Sequence, residues 1–73
     1  MASKIYQKKL KEIGLRIRKL RDKEGISRAQ LAYEIDTSES QLARIEYGQV
    51  NTGIITLLKI AEVLDVSISK IVD

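Results

Sequence analysis

Two pairs of hydrogen-bonding side chains share one spacing in the middle of the chain. Ser27 is followed three residues later by Gln30, and Ser38 is followed in the same way by Gln41. In this S-x-x-Q arrangement the serine hydroxyl accepts a hydrogen bond from the N3 amide of a helix, and the glutamine reaches back to the N–H of the cap residue. The spacing therefore predicts that two short helices begin in close succession.

The elements around these caps fit a helix-turn-helix. Only three residues, Asp36-Thr37-Ser38, separate the two predicted helices. Each helix carries apolar residues at helical spacing, which are Leu31 and Ile35 in the first and Leu42 and Ile45 in the second. Two capped helices this close are typical of the motif, which places its second helix in the major groove of DNA.

Other chemistry has little support. The chain contains neither Cys nor His, which excludes a disulfide and a Cys/His zinc site. The run from Asp36 to Glu46 superficially resembles a calcium loop, but it lacks the glycine at position six and its acid falls at position eleven, where such a loop needs an acid at position twelve. No nucleophile elbow and no glycine-rich phosphate loop are present. We therefore expect no enzyme activity, no catalytic residues, no metal and no small-molecule cofactor.

Composition favours one small all-α domain over residues 1–73. The chain has 73 residues, no Pro and 44% apolar residues, which indicates a folded helical domain of marginal stability. Residues 1–28 hold ten Lys and Arg against three acidic residues, whereas residues 29–73 hold three against seven. A basic half suits nucleic acid, although a solvated helix face gives the same pattern. Without a membrane span or a secretory signal in the sequence, the expected location is the cytoplasm.

Five helices and no strand are expected. The first runs from about Tyr6 to Lys23, and residues 1–5 before it are expected to be mobile or to form a short basic arm. Helices two, three and four are expected over about 28–35, 39–47 and 54–64, and Ser67 is a candidate cap for a short fifth helix. The apolar stripe of helix one comprises Tyr6, Leu10, Ile13, Ile17 and Leu20, and that of helix four comprises Ile54, Leu57, Leu58, Ile60, Ala61 and Leu64.

With these residues in place, the chain resembles the phage repressor/Cro-type helix-turn-helix family over about Ile13 to Val72. The segments that carry the resemblance are IRKLRDKEGIS, QLA, RIEYG and NTGIITLLKIAEVLDVS. Small Ala32 suits the close crossing of the two motif helices. Asp36 departs from the family, which usually has Gly at this turn, but Asp tolerates the left-handed conformation better than most residues.

The resemblance implies two sets of site residues, and the chemistry of phosphate contacts suggests a third. Ser38, Glu39, Ser40 and Arg44 occupy the family's base-reading positions. Arg can donate two bonds to guanine and Glu can accept one from cytosine, although an acid in the first turn also favours the helix dipole. Arg21 and Glu46 look like the family's buried ion pair. The candidates for contacts with the DNA backbone are Arg28, Gln41, Tyr47, Gln49 and Asn51. Capping alone is the alternative role of Gln41 and of Ser38, and covering of the end of helix three is the alternative role of Tyr47.

The expected function is a sequence-specific transcriptional regulator of repressor type, bound as a homodimer to a two-fold-related operator in double-stranded DNA. A phage or plasmid repressor, a restriction-modification controller and an antitoxin all fit the sequence equally. The alternative is a protein-interaction module that keeps the fold without reading bases, since Arg44 is the sole cation of helix three. We expect dimerisation through the C-terminal residues Ile68, Ile71 and Val72, unless Ile68 and Ile71 close the core of the monomer.

Overall fold

The computed structural model describes residues 4–73, and within this range it contains five helices and no strand. The helices are α1 (Lys4–Lys23), α2 (Arg28–Glu34), α3 (Glu39–Glu46), α4 (Ile54–Val63) and α5 (Ser69–Val72). Both serine caps are confirmed, because Ser27 Oγ accepts from the Gln30 amide at 3.0 Å and Ser38 Oγ accepts from the Gln41 amide at 3.1 Å. The all-α, five-helix prediction is therefore correct. No helix in the described part of the chain is long and apolar enough to cross a membrane.

Two ends of the fold differ from expectation. Helix α1 begins at Lys4, so Lys4 and Ile5 belong to the helix and not to a mobile arm, while residues 1–3 lie outside the described range. Ser67 does not cap α5, whose N-cap is Ile68 without a side-chain cap bond. Instead, the Ser67 hydroxyl lies 2.7 Å from that of Ser69.

The first four helices all end in the same way. The residue just beyond each C-cap has a positive φ, and the residue after it donates to a carbonyl five positions back, as in Ile26 N–H to Arg21 O at 3.1 Å. This is the Schellman motif, which satisfies the last carbonyls of a helix. The four left-handed residues are Gly25, Asp36, Gly48 and Asp65. At Asp36 φ is +59°, so this turn has the left-handed conformation for which the family usually has Gly.

One core joins all five helices. Its fully buried side chains are Ile17, Leu31, Leu42, Ile60, Leu64 and Ile71. The predicted inward residues of the motif are confirmed, with Ala32 and Ile35 also buried. Tyr6 is not part of the core, because 66% of its surface is exposed. The α1 stripe therefore packs over its later turns, where α3 and α5 lie against it.

The C-terminal prediction needs correction. Ile71 is completely buried in the chain's own core, and Ile68 and Val72 are partly buried against the same core. Arg16 Nη1 also donates to the Ile71 carbonyl at 3.2 Å, which ties α5 to α1. The expectation that Ile71 forms a dimer contact is therefore wrong, because its side chain has no exposed surface to offer a second copy.

Helix α4 has more apolar residues than its buried side can hold. Leu57, Ile60 and Ala61 are its buried residues, whereas Ile54 and Leu58, which the sequence placed in the inward stripe, are 59% and 44% exposed. Ile55 beside them is 62% exposed. The six positions of the predicted stripe span a wider arc around the helix than the core covers. Part of the stripe therefore faces outward.

Candidate nucleic-acid interface

Helix α3 has one side fixed in the core and one side free. Leu42, Ile45 and Glu46 are buried, while Glu39, Ser40, Gln41 and Arg44 are exposed. All four sequence-predicted base readers, Ser38, Glu39, Ser40 and Arg44, therefore lie together at the start and on the outer side of one short helix. Their assignment to bases stays a prediction.

The start of α3 is also ordered by side-chain hydrogen bonds. The Ser38 hydroxyl accepts from the Gln41 amide and lies 3.4 Å from the Ser40 hydroxyl. Capping thus accounts for one interaction of Ser38, and Gln41 takes part through its backbone, which leaves its exposed side chain for other contacts. Arg44 and Glu39 form no ion pair within residues 4–73.

A buried ion pair holds the other end of α3. Arg21 Nε donates to Glu46 Oε2 at 2.9 Å, and Arg21 Nη2 donates to Glu46 Oε1 at 3.2 Å. This bidentate pair is the geometry that fixes both the distance and the orientation of two helices. Arg21 Nη1 also donates to the Ile26 carbonyl at 2.9 Å, which connects the pair to the segment before α2. The predicted partnership of Arg21 and Glu46 is present.

The sequence did not predict that Arg28 joins this pair. Arg28 Nε donates to Glu46 Oε1 at 3.2 Å, its Nη2 donates to the Tyr47 hydroxyl at 3.4 Å, and its guanidinium carbon lies 5.4 Å from the centre of the Tyr47 ring. The Tyr47 hydrogen bond raises the pKa of Arg28, burial lowers it to a smaller extent, and the Glu46 carboxylate raises it further. The cation therefore persists at every relevant pH. Arg28 therefore links the start of α2 to the end of α3. This structural role is compatible with the predicted phosphate contact.

Sequence reasoning also missed Gly14. This buried glycine lies where α1 crosses α3, and a Cβ atom on it would collide with the backbone carbonyl groups of Ile45 and Glu46. Only glycine allows the two backbones to approach this closely. The available signal was an isolated glycine inside a strongly helical pattern, which usually has a packing reason.

The loop after α3 brings α1 into the same region. Gln49 and Asn51, two of the predicted backbone contacts, are exposed. They lie beside the N-terminal half of α1 and line a surface pocket of about 440 Å³ together with Gln7, Leu10, Lys11, Gly48 and Val50. Gly48 has φ +69°, and a Cβ on it would lie 2.6 Å from the backbone nitrogen of Lys11. Helix α1 is therefore in direct contact with the end of α3.

The fold and this outer surface define a helix-turn-helix protein. The chain belongs to the HTH_3 helix-turn-helix family, whose model matches residues 17–71. This confirms the resemblance to the repressor/Cro-type family. Comparison with curated protein sequences gives no match.

Several solved structures are similar over most of the chain. The restriction-modification controller protein C.AhdI from Aeromonas hydrophila is 30% identical, with a TM-score of 0.86 over 90% of this chain and 96% of that one. SinR, a master regulator for biofilm formation solved in complex with DNA, is 39% identical, with a TM-score of 0.77 over 84% of this chain and 98% of that one. An HTH_3 family transcriptional regulator from Vibrio cholerae is 30% identical, with a TM-score of 0.82 over 90% of this chain and 37% of that one. The three proteins are a controller protein, a regulator solved in complex with DNA and a transcriptional regulator, which favours DNA binding over the interaction-module alternative.

Proposed function

We propose that this DNA-binding transcriptional regulator acts as a repressor-type homodimer on a two-fold-related operator, with one α3 in each of two adjacent major grooves. The observation that carries the proposal is the division of α3 into two sides. Its inner side is fixed by the bidentate Arg21–Glu46 pair and by buried Leu42, while its outer side presents only polar and small side chains. A rigid helix with an accessible polar side is what base readout in the major groove requires.

Each side chain has a role that its chemistry allows. Arg44 donates two bonds to guanine O6 and N7, and Glu39 accepts from a cytosine amino group. Ser38 and Ser40 complete the base-reading set with hydroxyl groups that can donate or accept. Arg28 contacts phosphate through Nη1, the nitrogen that makes no hydrogen bond within the described residues. The other backbone contacts are Gln41, Tyr47, Gln49 and Asn51.

The dimer contact in this proposal moves from Ile71 to the outer side of α4. Ile54, Ile55 and Leu58 form an exposed apolar surface there, flanked by exposed Lys59 and Glu62. An isologous contact must be self-complementary. Two antiparallel copies of α4 meet this condition, because a two-fold axis beside Ile55 and Leu58 places the apolar residues of one copy against those of the other, with the charged residues at the edge of the contact. The partly buried Ile68 and Val72 contribute only their remaining edges.

A regulator of this kind shares a compartment with its DNA, so we place it in the cytoplasm. Its function is binding, which calls for no catalytic step and no cofactor. We therefore also propose that the chain is not an enzyme.

Selection of binding sites from random double-stranded DNA by the purified protein tests the function. We expect an enriched motif with two inverted half-sites, because a homodimer presents two symmetry-related copies of α3 about 34–36 Å apart, or one helical turn of DNA. Enrichment of a single, unrepeated half-site would contradict the homodimer. A pool without any enriched motif at low and at high salt would contradict sequence-specific binding itself.

Sedimentation analysis of Leu58→Asp tests the dimer contact. The buried charge should weaken self-association and shift the sedimenting mass towards the monomer. Tyr33→Asp is the matched control, because it adds the same charge to α2 at a side chain that is 84% exposed. If Leu58→Asp associates as the unmodified protein does and remains folded, the α4 contact is wrong.

A further inference from the structure

Helix α1 carries a line of cations that the helix-turn-helix itself does not include. Lys4, Lys11 and Arg18 recur every seven residues, so they lie along one side of the helix with a drift of only about 20° per interval. All three are exposed, and none forms a salt bridge within the described residues. We name these three residues the α1 basic stripe. We propose that the stripe binds the DNA phosphates that flank each half-site, an inference that rests on the proposed function.

The stripe lies on the side of α1 that borders the end of α3. Gly48, directly after the C-cap of α3, packs so tightly on Lys11 that a Cβ atom would lie 2.6 Å from the Lys11 nitrogen and 2.7 Å from its Cα. Gly14, one turn further along α1, meets the backbone of Ile45 and Glu46. The two contacts fix this side of α1 beside the last turn of α3, and the Lys11 side chain emerges next to it.

The loop that contacts this part of α1 is itself a candidate for phosphate binding. Gln49 and Asn51 share the surface pocket with Gln7 and Lys11. If the loop lies along the DNA backbone, the stripe continues the same path away from the bases read by α3. Its ligand is therefore the phosphate backbone outside the base-reading site.

Charge supports the assignment, because α3 alone attracts DNA weakly. Its cation Arg44 is balanced by the acidic Glu39. Of the two acidic residues on α1, Asp22 lies 3.5 Å from Arg21 Nη1, and Glu12 projects about 100° around the helix from Lys11. The stripe thus supplies the positive charge that the recognition helix lacks, and phosphate neutralisation by Lys and Arg is the main sequence-independent source of affinity for DNA.

The test compares Lys11→Gln, Arg18→Gln and the double variant with the matched control Lys9→Gln. Lys9 has the same charge and is only two residues from Lys11, but it projects about 200° around the helix. Each phosphate contact contributes about 0.9 to the slope of log affinity against log salt. An increase from about 50 to 200 mM salt weakens binding. This weakening should be about 3.5-fold smaller than for the unmodified protein when one contact is lost, and about 12-fold smaller when two contacts are lost.

Affinity for the selected operator is measured over this salt range, together with thermal unfolding to verify the fold. We expect shallower slopes for Lys11→Gln and Arg18→Gln, a slope near that of the unmodified protein for Lys9→Gln, and an unchanged base preference for all of them. Removal of the DNA that flanks the half-sites should lower the operator affinity of the unmodified protein and leave that of the double variant almost unchanged.

Three results separate the stripe from the function. A double variant with the unmodified slope overturns the stripe, and so does a Lys9→Gln slope equal to that of Lys11→Gln, because a general charge effect then explains both. In either case the unmodified protein still selects an operator, so the proposed function stands. If the unmodified protein selects no motif, the proposed function fails, and the stripe as a contact flanking a half-site fails with it.

Discussion

Replacement of Gly14 by Ala gives the sharpest test of how α1 positions the recognition helix. The change adds one methyl group where α1 crosses α3. That methyl group would lie 2.5 Å from the Ile45 carbonyl oxygen and would overlap the Glu46 carbonyl group even more closely. Both colliding groups belong to the backbone, so no side-chain rotation can relieve the overlap.

Two opposing effects determine the size of the change. Alanine favours the helix by about 1 kcal/mol relative to glycine, whereas overpacking a tight interior costs about 1–3 kcal/mol, and more when the neighbours cannot move. Ordinary contact distances begin at 3.4 Å, so the two helices must separate locally by about 1 Å. This separation also stretches the Arg21–Glu46 bond, which is now 2.9 Å long. We expect a net loss of about 1–2 kcal/mol in the free energy of unfolding, or a melting temperature about 5–15 °C lower for a domain of this size.

Thermal and urea unfolding measure the stability of this variant, and titration with the operator measures its affinity. Gly53→Ala is the control, because a methyl group there has no neighbour within 4 Å and alters only the N-cap of α4, at a cost below about 1 kcal/mol. Operator affinity should fall for Gly14→Ala alone, since its displacement reaches the backbone of α3. A Gly14→Ala protein as stable as the unmodified one, with equal affinity, would show that the crossing can relax without moving α3.

Three further substitutions test separate parts of the structure. Glu46→Gln leaves two guanidinium groups without their buried counter-charge and should destabilise the fold by about 3–5 kcal/mol in urea unfolding; a change below about 1 kcal/mol would mean that the pair is not needed. Asp36→Gly removes a left-handed L-residue and should stabilise by up to about 1 kcal/mol, whereas lower stability in the same assay would contradict a strained turn. Arg44→Ala should reduce the preference at one base position per half-site by about 1–3 kcal/mol in a binding-site selection. An unchanged preference profile would remove Arg44 from the base-reading residues.

The parts of the fold that depend on neighbours in sequence could be predicted. A serine cap bonds to an amide only three residues away, so Ser27 and Ser38 were sufficient to locate the starts of α2 and α3. Contacts between distant residues could not be predicted in this way. The approach of Gly14 to Glu46 joins positions 32 residues apart, and the bond from Arg28 to Glu46 spans 18. Nothing in the local pattern distinguishes these contacts from others that the same residue types could make.

The same distinction explains why the burial of residues on α4 and at the C-terminus was predicted incorrectly in part. Periodicity identifies apolar positions, but it does not show how much of each is covered by helices from elsewhere in the chain. Helix α1 reaches α5, where Arg16 bonds to the Ile71 carbonyl, and this packing buries Ile71. No described helix covers the outer side of α4, so Ile54, Ile55 and Leu58 remain exposed. Because apolar surface that the monomer leaves exposed is the part that a second copy can bury, the proposed homodimer uses the outer side of α4 and not Ile71.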